Sequence, residues 1–151
     1  MSRRIALIVV ALMLASIAHA GGDGLVVKQS PHSARVTLDR WEALMKKKGI
    51  RVFARISHQK NAEGVGLKLR PTELLIFGNP KLGTRFFTSR QSAGIDLPMK
   101  ALAWEDEQGR TWLAYNDPRY IARRHGITDR DAIVEKMQGA LEKFSDYAIG
   151  N

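Results

Sequence analysis

Three polar clusters in this chain combine residue types that could do chemistry. Arg55 and His58 close an alternating run, and Arg70-Pro71-Thr72-Glu73 leads into the next apolar one. If those runs pair as strands, His58, Arg55 and Glu73 bring a base, a charge clamp and an acid within reach of one another, as general acid–base catalysis needs. A histidine at a strand end and an Arg–Glu pair also serve structure, so catalytic residues stay unassigned. The second cluster is Gly78-Asn79-Pro80-Lys81-Leu82-Gly83-Thr84. A strand-to-helix turn there aims free backbone N–H groups outward, and Lys81 and Thr84 add donors for an anion or carboxylate. The stretch lacks the Gly-Lys-Ser/Thr ending of a phosphate loop, which excludes a nucleoside triphosphate site. The third centres on Lys100, which alternation puts on a sheet face with Leu102 and Trp104. A charge there needs a partner or a ligand, and Asp96, Glu73 and Glu105 are the candidate partners.

These clusters form one candidate ligand site. Arg55, Arg70, Lys81 and Lys100 supply charge; His58, Glu73, Asn79 and Tyr115 orient what is bound. Other chemistries lack their residues. His32, His58 and His125 are far apart, with no metal-binding spacing. There is no G-x-S-x-G and no G-x-G-x-x-G, so no cofactor is expected. The chain has no cysteine, which excludes a thiol nucleophile, a thiolate metal site, a disulfide and a lipidated N-terminal Cys. Asn116-Asp117 reads as a turn and helix cap, and Trp41, Trp104 and Trp112 as packing.

The N-terminus carries an address. Arg3-Arg4, an uncharged run from Ile5 to Ile17 and Ala18-His19-Ala20 make the three-part pattern of an export signal, with cleavage expected after Ala20. The run is too short for a spanning helix. The general secretory route fits it better than the twin-arginine route. Residues 1–20 are then the signal and 21–151 a single domain, located in the periplasm or secreted and not integral to the membrane. Removing the signal takes away Arg3 and Arg4 and leaves 22 basic against 15 acidic side chains, a net +7. In an exported protein that excess points away from nucleic acid and toward anionic surfaces, acidic partners or small anions.

Periodicity supplies the elements that must position the clusters. Gly24–Gln29 reads as a strand. Ala34, Leu38, Trp41 and Met45 form one stripe of an amphipathic helix that ends at Gly49. Arg51–Ser57 alternates as a strand, Gln59–Gly66 is a loop or short irregular helix, and Leu74–Phe77 is a central strand. Asn79 and Pro80 cap and start a short helix through Phe86 and Phe87. Pro98–Glu105 and Thr111–Tyr115 form a hairpin about Asp106-Glu107-Gln108-Gly109. Asp117-Pro118 opens a short helix, and Thr128–Asp131 resembles a capping box for a last helix over about 129–148. The class is α+β, a curved, mostly antiparallel sheet with helices on one face in β-α-β(n)-α order.

Four segments resemble a known family: Gly49–His58, Leu69–Lys81, Gly94–Leu102 and Trp112–Pro118. They are similar to the domain-of-unknown-function family 302, from about Gly24 to about Gly126. The resemblance implies a fold like half of the TATA-binding protein, able to dimerise, and no established reaction. DNA binding does not follow from that fold. One departure is Arg85-Phe86-Phe87-Thr88-Ser89-Arg90, where the family continues with proline and aliphatic residues. The expected function is an exported periplasmic accessory protein that binds a small anionic or amphipathic ligand. The alternatives are a ligand-free interaction module, partnered by a second copy or another envelope protein, and an acid–base enzyme using His58 and Glu73.

Overall fold

Alternating side chains settle the strands, and the apolar stripes of two helices settle which face of the sheet they cover. The computed structural model describes residues 19–21 and 24–150. Most of the expected export signal lies outside the described residues, and the expected cleavage point after Ala20 falls within the first strand, β1 (His19–Gly21). There follow β2 (Leu25–Ser30), α1 (Ala34–Lys47), β3 (Arg51–Ser57), α2 (His58–Gly64), β4 (Thr72–Gly78) and α3 (Pro80–Ser89). A 3-10 turn over Gln91–Ile95, β5 (Met99–Glu105), β6 (Thr111–Asn116), α4 (Pro118–Arg124) and α5 (Asp131–Ile149) complete the order. The six strands form one sheet in the order β1-β2-β6-β5-β4-β3, and every pair is antiparallel. The α+β class and the antiparallel sheet are as the sequence led us to expect.

Register assigns each residue to a face. Leu75, Phe77, Met99, Ala101, Ala103, Leu113 and Tyr115 point toward α1 and α5 and are buried there. Trp41 of α1 is the centre of this core. Its ring lies 5.4 Å from Phe77, 5.9 Å from Tyr115 and 6.3 Å from Phe144. The opposite face presents Leu74, Ile76, Lys100, Leu102, Trp104 and Trp112. Trp104 and Trp112 are direct cross-strand partners, an aromatic pairing that adds to strand association.

Most ends are set by the residues expected. Ser33 accepts from the Val36 amide, Asn79 from Lys81 and Asp117 from Arg119, so three helices start on side-chain caps. After the last turn of α1 the chain reverses at Gly49 with φ +66, a conformation glycine adopts without strain. Three local readings change. Ser57 accepts from the Lys60 amide, so His58 begins a helix instead of ending a strand. The segment Gln91–Ile95 winds into a 3-10 turn that no periodicity announced. The capping box at Thr128–Asp131 does not form: α5 starts after Arg130 without a side-chain cap. The Asp129 carboxylate is engaged by Ser89 at 2.6 Å and Arg130 at 2.6 Å instead.

Candidate functional site

The eight residues proposed for a ligand do not converge on one place. Arg55 and Glu73 do meet, because Arg55 and Leu75 are cross-strand partners on the face toward α1. There Arg55 is enclosed by acids: Glu73 at 2.7 Å, Asp39 at 2.6 Å and Glu42 at 3.2 Å, with the Arg35 carbonyl accepting a further bond at 3.0 Å. Burial disfavours its charge, yet the bonds to Glu73 and Asp39 hold its pKa above the usual arginine value. The Lys46 ammonium, and Arg55 after it, keep the Glu42 carboxyl below the usual carboxylate range. The guanidinium is fully occupied inside the fold. His58 is exposed at the start of α2 and has no hydrogen bond to either partner among the described residues.

Lys100 pairs with Ile76 on the opposite face of the sheet. It donates to the backbone carbonyls of Asp96 at 3.0 Å and Pro98 at 3.1 Å. Carbonyls, not the expected carboxylates, therefore account for a lysine on that face. Tyr115 is buried against Trp41 on the helix side, and burial raises its hydroxyl pKa. Arg70 sits at the far end of the strands, donating to the Glu105 carbonyl at 3.2 Å. Asn79 and Lys81 remain, both at the start of α3.

Those two residues border a concavity. It is a groove of about 560 Å³ at the end of the sheet where β3 begins and β4 ends. Phe77 and Met99 lie at its base, and Phe53 and Ile50 close the β3 side. One wall is α3, through Leu82, Gly83 and Phe87; the other is α5, through Met137, Ala140, Leu141 and Phe144. Asn79 lines it, and Lys81 lines an adjoining recess that shares Asn79, Leu82 and Lys136. Gly78 lies on its floor, where an added Cβ would make ordinary contact with Pro98 at 3.5 Å and Phe53 at 3.7 Å. Among the described residues, the charged ones lining the groove are Lys48 and Lys136, and none of the lining residues is a carboxylate. A concave apolar surface with a few polar groups is the usual form of a binding site.

Sequence reading missed most of this lining, since it sorted the phenylalanines and Met137 into core or left them unassigned. The basic and aromatic departure at 85–90 was the available signal. Phe86 enters the core, Phe87 lines the groove and Arg85 lines the adjoining recess. A second unanticipated network joins the 3-10 turn to the end of α4. His125 lies between Asp96, at 2.6 Å from Nε2, and Ser92, at 3.0 Å from Nδ1, while Arg124 shares Asp96 at 3.0 Å. No cluster of three potential metal ligands occurs among the described residues.

Comparison with known proteins bears on both fold and function. The profile of the family described as "Domain of unknown function DUF302" matches residues 26–144, extending through most of α5 and well past Gly126. The crystal structure of an uncharacterized conserved DUF302 protein from Bacillus stearothermophilus superposes with a TM-score of 0.74 at 19% identity, covering 83% of this chain and 98% of the other. The protein named fluoride-specific ion channel FluC 1 in Brucella suis biovar 1 (strain 1330) is 42% identical over 130 residues, 85% of this chain and 51% of the relative. FluC 1 of Brucella abortus biovar 1 (strain 9-941) is 42% identical over 130 residues and 48% of its own length. The chain thus spans about half the length of the curated relatives it matches.

Those names overturn the expected function. Relatives named as fluoride channels conflict with an exported accessory protein for a small anionic or amphipathic ligand, with its two alternatives, and with the secreted and periplasmic descriptions. No helix among the described residues is long and apolar enough to cross a membrane. Shared segments, a profile over most of its length and a matching fold together place the chain in the DUF302 family.

Proposed function

We propose that this chain serves a fluoride-conducting membrane protein as a companion domain. One observation carries the proposal: 42% identity over 130 residues to about half of proteins named fluoride-specific ion channels. Ion conduction then falls to the part of those relatives outside the match. The long helices support this division of labour, because α1 and α5 each spend an apolar stripe on the sheet: Leu38, Trp41 and Met45 from one, Met137, Leu141 and Phe144 from the other. Contact outside the fold is left to other surfaces, among them the sheet face that presents Leu74, Leu102, Trp104 and Trp112.

The test is growth of the protein's own cell in rising fluoride after deletion of this chain. Tolerance should fall and return when the chain is supplied again. Unchanged tolerance across the series would sink the proposal.

A further inference from the structure

Five cations gather around the groove, whose own lining carries two lysines and no carboxylate among the described residues. Lys48, Arg51, Lys81, Arg85 and Lys136 are all exposed. None takes part in the ion pairs found among the described residues. Lys48 and Lys136 stand in the groove itself, and Lys81 and Arg85 with Lys136 line the adjoining recess. Arg51 lies 4.9 Å over the ring of Phe53, an exposed aromatic side chain at the groove's edge. Asp129 and Asp131 line a neighbouring pocket together with Arg85, and Glu135 precedes Lys136 on α5. Asp129 is engaged by Ser89 and Arg130, and Asp131 opens α5.

We propose that this end of the sheet docks on an anionic membrane surface, with the five unpaired cations among the headgroups and the apolar groove facing the bilayer. Charge complementarity selects the occupant. A neutral apolar partner would strand the cations beside it, whereas an anionic bilayer satisfies them and offers apolar depth next to its headgroups. Each basic side chain near such a surface strengthens attachment about fivefold, and salt weakens it. Docking does not depend on the fluoride proposal: vesicle binding is read without a channel, so either can fail alone.

The absence of cysteine makes the test clean. Thr84→Cys in the groove wall and Gln108→Cys in the β5–β6 turn, at the opposite end of the strands, each accept one environment-sensitive dye in the full chain. Vesicles of phosphatidylglycerol mixed with phosphatidylcholine should brighten the dye at residue 84 and leave the one at 108 unchanged. Pure phosphatidylcholine should do neither. The Lys48→Glu/Lys81→Glu/Lys136→Glu variant, with its circular dichroism unchanged, should partition at least about a hundredfold more weakly, three side chains at the value above. Equal responses from the two dyes, an equal response to neutral vesicles, or undiminished binding by the variant would each overturn the proposal. So would binding to an acidic peptide without binding to vesicles.

Discussion

Arg55 and the groove cations occupy two regions of the same fold and are treated in opposite ways. Arg55 is drawn under α1, its side chain 21% exposed, and meets three carboxylates. Lys48 and Lys136 flank an apolar groove, exposed, with no carboxylate lining it among the described residues. Burying a charge costs stability unless it is paired and hydrogen-bonded, so the Arg55 cluster belongs to the architecture, joining β3 and β4 to α1. An exposed lysine without a partner costs the fold almost nothing, and its charge stays available to something outside. The cluster that looked most like chemistry in the sequence is scaffold, while the dispersed lysines belong to the surface proposed for docking.

Substitutions can break that contrast in graded steps. Trp41→Ala should cost about 3–5 kcal/mol in urea unfolding, because it empties the centre of the aromatic core. Arg55→Met should cost about 1–3 kcal/mol, since Glu73 then loses its cation while partly shielded from water and Glu42 keeps only Lys46. Lys48→Glu and Lys136→Glu should each stay within about 0.5 kcal/mol of the native chain. A groove substitution as costly as Arg55→Met would erase the distinction between the two regions.

A smaller effect sharpens the comparison at the far end of the strands. Asp106 accepts from the Trp112 indole at 2.8 Å, from the Gln108 and Arg110 amides and from the Arg110 side chain. The Trp112 bond comes first among the causes that hold its pKa at about 2. With the folded value depressed, its contribution to stability is complete above the ordinary aspartate value of about 3.9. It fades as pH falls toward 2. A carboxyl NMR titration should place the midpoint near 2, and Trp112→Phe should raise it. A midpoint near 4 in the native chain would remove this anchor of the hairpin.

Local features were legible wherever one short segment decides the outcome. The stripe Ala34–Met45 made α1, Asn79-Pro80 and Asp117-Pro118 started their helices, and the hairpin turn fell at Asp106–Gly109. Pairing of β3 with β4 also brought Arg55 to Glu73 as alternation implied. Competition between nearby residues was harder to see: Ser57 captured His58 for a helix, and Asp129 was taken by Ser89 from a distant helix. The groove was illegible for a related reason. Phe53, Phe77, Leu82 and Phe144 line it from four different elements, and apolar periodicity does not reveal where packed elements leave a gap. Likewise, the His125–Asp96–Ser92 network needs α4 laid against the 3-10 turn before its members meet.

The most direct measurement is fluoride efflux, followed with a fluoride electrode, from cells lacking this chain and resupplied with either the native chain or the Lys48→Glu/Lys136→Glu variant. Efflux should slow on deletion, recover with the native chain and stay slow with the folded variant. Efflux that is equally fast with and without the chain would contradict the account.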